Sequence, residues 1–426
     1  MVDDSIDDAD HIELGTHPDG SWARLGRNDR RRHIYLIGKT GTGKSTLLLN
    51  LMLADLERGH GFALIDPHGD LALAVAAATP AWRTNDVVYL DPSDLAHPVG
   101  FNPLYGVSVD HRPLVAAHIV AAFQHIWGSS WGPRLEYILT NSLRLLLDAP
   151  GSTLLGLPRL LADEGYRKRL LAHARDPVVR SFWQSEFAQY SDRYATEAIA
   201  PIQNKVGTLL SPPALRNMLG QVRSTIDIRR IMDSGQVLIV NLAKGKLGET
   251  PAHLLGAFLS TAFAQAAEGR AELPEHARRD FTLYADEFQN FATDSFAAIL
   301  SEARKYRLAL VLAHQFLGQL SPLLRQAVIG NAGSILAFRI GAEDAPLIAA
   351  ELGIESKSAL TDTVNFALWA KLLRAGVPTD PRRIDTAPPA DIAGGRFDAV
   401  RNRSRARSAR PRAAVEAKIA RFLSGA

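Results

Sequence analysis

The stretch Gly38-Lys39-Thr40-Gly41-Thr42-Gly43-Lys44-Ser45-Thr46 brings together three glycines, two lysines and four hydroxyls. Gly38, Gly43, Lys44 and Ser45 stand at the spacing G-x-x-x-x-G-K-[ST]. Glycines let the backbone curl until successive N–H groups face one anion. A helix that starts there adds the positive end of its dipole. Lys44 then reaches the outer phosphates of a nucleoside triphosphate, and Ser45 offers an oxygen to magnesium. Gly38, Thr40, Gly41, Thr42, Gly43, Lys44, Ser45 and Thr46 are the candidate nucleotide-binding residues. A glycine-rich turn without a ligand would not need the apolar run before it and the helical run after it, and both are present.

A second constellation lies far along the chain. Phe281-Thr282-Leu283-Tyr284-Ala285 runs into Asp286-Glu287. An acid at the carboxyl edge of a sheet is where a magnesium ligand belongs. A glutamate beside it can orient and deprotonate an attacking water. Asp286 is the candidate metal ligand together with Ser45, and Glu287 is the candidate general base. One acid alone would fit a solvated loop equally well; the pair, downstream of a phosphate loop, points to hydrolysis.

A third apolar run, Leu308 to Ala313, leads to His314-Gln315. In P-loop ATPases with an additional strand between the phosphate-loop strand and the acidic strand, the last polar residue of that strand faces the terminal phosphate. Gln315 is the candidate sensor and His314 a packing histidine. Arg304 precedes this run, and Arg339 ends Ile335-Leu336-Ala337-Phe338. Either arginine can supply transition-state charge to a neighbouring subunit, with a surface ion pair as the equal alternative. Arg339 is the first choice because it sits at a strand end.

These groups need a common scaffold. His33 to Ile37 reads as a buried strand, and Ser45 to Glu57 has helical spacing in Leu49, Met52, Leu53 and Leu56. Phe62 to Ile65 and Val87 to Leu90 are further strands. Gln236 to Val240, Phe281 to Ala285, Leu308 to Ala313 and Ile335 to Phe338 resume the pattern, with helices at 251–267, 294–305 and 343–352. Alternation of this kind predicts an α/β fold with a mostly parallel sheet flanked by helices. Between about 110 and 224 no strand is evident. Val115, Ile119, Val120, Phe123, Ile126 and Trp127 form one helical face, and Leu135, Ile138, Leu139, Leu143 and Leu146 another. The expected organisation is an N-terminal strand or hairpin segment (1–32), a discontinuous motor domain (33–109 and 225–385), an all-helical insertion (110–224) and a basic, disordered tail (386–426).

Composition bounds the rest. The chain has 426 residues, 46% apolar and 22% charged, with no cysteine. That excludes disulfides, thiolate metal sites and cysteine nucleophiles, and leans toward a reducing compartment. No run approaches the roughly 18 apolar residues needed to cross a bilayer. A cytoplasmic protein is expected, associated with a membrane only through a partner. The net charge is +3, yet the segment from Arg396 onward holds nine Arg or Lys against two Asp or Glu. Any attraction to nucleic acid is therefore expected to be local.

In order and spacing, these segments resemble the HerA/FtsK superfamily of P-loop DNA motors, and within it the TraG/TraD-like coupling proteins of conjugation and type IV secretion. HIYLIGKTGTGKST, the turn Asp66-Pro67-His68-Gly69-Asp70, the helix start Trp131 to Glu136, LYADEFQNF, EARKYRLALVLAHQ and GNAGSILAFRIGAEDA carry the likeness over roughly residues 20 to 355. The resemblance implies a RecA-like P-loop fold with an all-helical insertion. It further implies ATP and Mg2+ at subunit interfaces of a hexameric ring, and DNA in the central pore, double-stranded in the first instance and single-stranded as the alternative. A relaxase, a secretion channel or a membrane anchor are the implied partners. Coupling proteins anchored in membranes carry transmembrane helices before the motor; no such run is found here. A soluble HerA-like helicase or translocase in end processing or phage defence remains open, as does a nucleotide-switched docking adaptor.

The six arginines from Arg401 to Arg412 are expected to lie in a disordered segment able to bind phosphates, or merely to solubilise the chain. Trp127, Trp131 and Tyr137 fit a helical core better than a stacking platform for single strands. His68 is expected to stabilise its turn rather than bind a metal.

Overall fold

The structure, a computed structural model, describes residues 10–425 except Ser295, Asp391, Ala393 and Gly394. The chain divides into two compact units: Met1–Leu90 with Ile228–Leu242 and Phe263–Ser404, and Asp91–Asp227 with Ala243–Ala262 and Arg405–Ala426.

The first unit is built on strands β1 (His11–Thr16), β2 (Trp22–Gly26), β3 (Ile34–Ile37), β4 (Gly61–Asp66), β5 (Val87–Leu90), β6 (Val237–Asn241), β7 (Phe281–Ala285), β8 (Leu308–His314), β9 (Ser334–Ala337), β10 (Ala367–Lys371), a short hairpin of β11 (Leu373–Arg374) and β12 (Val377–Pro378), and β13 (Arg382–Thr386). All but that hairpin form one eleven-stranded sheet in the order β2-β1-β13-β10-β9-β3-β8-β7-β4-β6-β5. From β9 to β5 the pairing is parallel throughout. β10, β13, β1 and β2 extend it with antiparallel pairs.

The parallel strands are apolar from end to end because helices cover both faces; every residue of β3, β4 and β6 is buried. The strand Leu308–His314 lies between the phosphate-loop strand β3 and the acidic strand β7, as expected for Gln315 to reach the site. β10 and β13 carry no strand signal of their own in the sequence. Their residues, ALWAK and RRIDT, are short and partly polar, and their strand character comes from pairing with β9 and β1.

A buried polar cluster ties three of these elements. Arg30 donates to Asp55 Oδ1 and Oδ2 at 2.9 and 2.7 Å and to the Tyr284 hydroxyl at 2.9 Å. Tyr284 in turn donates to Asp55 Oδ2 at 2.6 Å. Asp55 lies on the helix Lys44–Glu57 that follows the phosphate loop, and Tyr284 is two residues before Asp286. The Arg30 charge holds the Asp55 carboxyl well below the usual range despite complete burial.

The second unit is helical. In Arg112–Trp127, Val115, Ile119, Val120 and Phe123 are buried, whereas Ile126 and Trp127 are half-buried. In Pro133–Asp148 all five expected apolar positions are buried. Further on, the helices Gly156–Ala162 and Glu164–Leu171 follow one another, and the Asp163 carboxylate caps the second through Tyr166 N. Tyr137 is not a core residue. It is 46% exposed, stands edge-on to Phe182 and donates its hydroxyl to Glu186. Trp131 is half-buried with its indole N–H on Glu136.

The basic segment is ordered, contrary to expectation. It forms the helices Phe397–Ser408 and Arg412–Ser424. Val400, Ser404 and Ser408 recur every four residues and are buried, as are Val415 and Ile419. In the first unit, Ser404 bridges the backbone of Tyr89, accepting from its N at 2.9 Å and donating to its O at 3.0 Å. In the second, Arg159 donates to Phe422 O and Asn217 to Glu416. Short residues at helical spacing let a strongly basic helix dock, while Arg403 donates to Asn85 Oδ1 at 2.7 Å and Arg405 pairs with Asp94 at 2.6 Å.

Candidate nucleotide-binding and hydrolytic site

The site lies within the first unit, at the carboxyl edge of the parallel strands. β3 ends at Ile37 and the helix begins at Lys44, so the loop Gly38–Gly43 must turn within six residues. Gly41 and Gly43 take φ of 76° and 118°, which a side chain would oppose. Space enforces the same choice: a Cβ on Gly38 would stand 2.6 Å from Phe338 Cβ, and one on Gly43 3.0 Å from the Phe338 ring. Lys39 N donates to Arg339 O at 2.8 Å and Gly38 N to His314 O at 3.3 Å, which anchors the loop to β9 and β8. The Thr42 hydroxyl donates to Lys39 O at 2.7 Å. Lys39, Thr40, Gly41 and Ser45 are exposed, and Thr46 is half-buried.

Lys44 is buried, its Nζ donating to Gly38 O at 2.6 Å and Lys39 O at 3.2 Å. Burial lowers its pKa, and the charges of Glu287 and Asp286 oppose that shift. Asp286 is buried at the end of β7. Burial, with Glu287 and Asp66 as like charges, lifts its pKa to about 7. From the sequence Asp66 is legible only as part of a turn. It ends β4, and its carboxylate accepts from His68 N and Ala72 N at 2.8 and 2.9 Å. The Asp-Pro-His-Gly-Asp turn thus rests on Asp66, while the His68 imidazole is exposed.

Glu287 adopts the left-handed region, φ 46° and ψ 48°. For a non-glycine residue this costs on the order of 1 kcal/mol and is typical of functional positions. The turn aims the carboxylate between two amides. Gln315 Nε2 donates to Oε1 at 3.0 Å and Gln289 Nε2 to Oε2 at 2.7 Å. Gln315 is itself set by the loop after β8, where Gln319 Oε1 accepts from the backbone N of both Gln315 and Phe316. No sequence signal marks Gln289, whose approach to Glu287 depends on the short turn Phe288–Asn290. His314 is buried, in contact with the Tyr35 hydroxyl at 2.6 Å through Nε2, and burial pushes its pKa down to about 3, so it is a neutral packing group.

The two arginines part company. Arg339 follows β9 at the same edge as the phosphate loop, with its carbonyl bonded to Lys39 N. Arg304 is exposed in the turn Ala303–Tyr306 before β8, at the opposite edge of the sheet. There it lines a cavity of about 400 Å³ with Arg32, His33, Asn331 and Lys371. Within one chain, therefore, Lys44, Asp286, Glu287 and Gln315 converge, Arg339 adjoins them through its backbone, and Arg304 stands apart.

The arrangement fits a nucleoside triphosphate with a divalent cation. Asp66 and Glu287 lie close enough to raise the pKa of Asp286 beside a curled, glycine-bounded loop. Among the described residues no group of three or more His, Cys, Asp or Glu is placed to hold a metal unaided. Magnesium takes only one or two protein oxygens and completes its shell with phosphate and water.

No family model and no curated protein matches the chain. Solved structures do. The bacterial conjugative coupling protein TrwBΔN70 is similar with a TM-score of 0.60 at 16% identity, over 90% of this chain and 89% of that one. The plasmid coupling protein TrwB in complex with ADP and Mg2+ gives 0.62 at 16% identity over 88% and 89%. VirB4 of Thermoanaerobacter pseudethanolicus gives 0.58 at 16% identity over 90% and 98%. The chain shares their fold, a RecA-like P-loop architecture, in keeping with the likeness read from the sequence. Among the described residues no helix is long and apolar enough to cross a membrane.

Proposed function

We propose that this chain is an ATPase that drives DNA translocation as a homo-oligomeric ring, a hexamer, in conjugative transfer or type IV secretion. The observation that carries the reading is the pairing of a phosphate loop with Glu287 held between Gln315 and Gln289 beside the buried Asp286. Lys44 and the N–H groups of Gly41 to Ser45 would hold the phosphates, and Ser45 and Asp286 the Mg2+. Magnesium supplies charge neutralisation on the phosphate oxygens. The Glu287 carboxylate accepts the proton of the attacking water, while Gln315 fixes its orientation. The water oxygen bonds to the terminal phosphorus as the bond to the leaving diphosphate breaks.

Support for the nucleotide comes from the TrwB structures, which hold ADP with Mg2+ and the ATP analogue ADPNP. Support for the process comes from the coupling-protein and VirB4 folds. A purely switch-like adaptor needs no oriented general base, so the Glu287 arrangement weighs against it. Arg304, exposed at the sheet edge away from its own phosphate loop, suits a role toward a neighbouring subunit. Arg339, beside its own loop, suits a role within the chain. A cytoplasmic ring recruited to a membrane by a relaxase, channel or anchor protein completes the reading.

The test is the steady-state ATPase rate of the purified protein alone, with single-stranded and with double-stranded DNA, using Glu287→Gln as the blank. A several-fold rise with either DNA, lost in the variant, is expected. A slow rate indifferent to both would displace the motor in favour of the adaptor.

A further inference from the structure

Phe366 is a bulky residue in an unfavourable conformation at an exposed place. Its φ is 63°, in the left-handed region where glycine or asparagine would sit without strain. Its side chain is 47% exposed. The backbone is locked on both sides: Phe366 N donates to Thr42 O at 2.8 Å, inside the phosphate loop, and Thr386 donates to Phe366 O from both N and Oγ1 at 2.8 Å. The ring lies over Gly43, its Cδ1 3.1 Å from where a Cβ on that glycine would stand. Burial does not account for an aromatic here, since nearly half of it faces solvent, and the backbone geometry argues against one. Strain held at a ligand cradle is a pointer to function.

Its direction is informative. In the order β10-β9-β3-β8-β7, the catalytic carboxylates and Gln315 lie on the β8 and β7 side of the phosphate loop. Phe366 immediately precedes β10, on the other side. A nucleotide whose terminal phosphate faces Glu287 extends its nucleoside end away from the carboxylates. We infer that Phe366 is the stacking platform for the base of the bound nucleoside triphosphate, clamped to the loop so that base and phosphates are read by one rigid unit. This rests on the nucleotide-binding reading above. Stacking reads the π-face rather than the hydrogen-bonding edge, so the platform takes nucleobases as a class, the larger purines best.

The experiment measures equilibrium binding, in the presence of Mg2+, of a slowly hydrolysed ATP analogue and of inorganic tripolyphosphate. It compares the wild-type protein with Phe366→Asn and Phe366→Tyr. Asparagine tolerates the left-handed conformation, so its thermal midpoint should equal or exceed that of the wild type. Phe366→Asn is expected to weaken the ATP analogue about tenfold and to leave tripolyphosphate unchanged, with Phe366→Tyr close to wild type. Equal loss of both ligands would make Phe366 a loop support and overturn the proposal, as would unchanged ATP binding. A wild-type protein that binds tripolyphosphate no more weakly than the ATP analogue would reject base recognition while sparing the phosphate loop. Failure to bind either ligand would remove the nucleotide-binding reading itself, and the platform with it.

Discussion

Gln315 donates its side-chain N–H to Glu287 Oε1 at 3.0 Å, joining the end of β8 to the end of β7. The pair links the sensor candidate to the general-base candidate before any ligand is considered. Glu287→Gln is expected to lower the hydrolysis rate by roughly 10²- to 10⁴-fold while nucleotide binding persists. Gln315→Ala should lower kcat by a smaller factor with KM little changed, because the base remains but loses its orientation. Single-turnover kinetics with a separate binding measurement checks both; a matching rise in KM would make Gln315 a binding residue instead.

Asp286 holds a proton to about pH 7 because it is buried with Glu287 and Asp66. Its folded pKa lies above the unfolded value of 3.8, so the folded state retains the proton as pH rises and stability declines between those values. Asp286→Asn is therefore expected to stabilise the metal-free protein at pH 8 by about 2–4 kcal/mol while abolishing Mg2+-dependent nucleotide affinity. Chemical denaturation with and without Mg2+ reads both effects. Loss of stability in the variant would contradict the unfavourable burial of this carboxylate among like charges.

The Arg30–Asp55–Tyr284 cluster couples the phosphate-loop helix to the strand that carries Asp286. Asp55→Ala leaves the Arg30 guanidinium buried without its partner, at a cost of about 3–5 kcal/mol. Tyr284→Phe removes one hydroxyl and should cost only about 1–2 kcal/mol. Urea denaturation midpoints of the two variants should fall in that order.

His33 is buried, with Nε2 in contact with Leu300 O and Nδ1 accepting from Leu310 N. Burial drives its pKa from 6.5 to about 4. As pH falls through 6.5 the unfolded chain takes up the proton first, so stability is lost between pH 6.5 and 4, by about 3 kcal/mol from this group. His33→Asn keeps the left-handed backbone, φ 64° at this position, and should flatten the acid limb of the stability profile. An unchanged limb would place the acid sensitivity elsewhere.

Truncation at Arg396 would strip buried Val400, Val415 and Ile419 from the fold and so confound any DNA-binding measurement. Charge substitutions that leave the helices intact are the better probe. Arg403→Ala with Arg410→Ala should weaken DNA binding and reduce the slope of log K against log salt by about 1–2 if the segment contacts phosphates. Val400→Ala should instead lower stability by about 1–2 kcal/mol and leave the salt slope alone.

The phosphate loop and the acidic strand were legible because their chemistry is local. Six residues from Gly38 to Gly43 dictate a curled anion cradle, and an apolar run ending in Asp286-Glu287 dictates a carboxylate pair at a sheet edge. The seven buried parallel strands were readable for the same reason, since each is a continuous apolar run. What needed the tertiary structure was every relation between distant segments. Nothing in β10 or β13 announces a strand until β9 and β1 supply their partners. Asp66 raises the pKa of Asp286 only because β4 and β7 are neighbours. Gln289 reaches Glu287 only through a left-handed turn. Phe366 stands 323 residues beyond Gly43 and meets it only when β10 pairs beside β9. The basic segment reads as disordered by its charge and is ordered by Val400 and Ser404 finding their places. Backbone curvature and hydrophobic period are properties of short stretches, whereas desolvation, charge coupling and side-chain clamps belong to the packed chain.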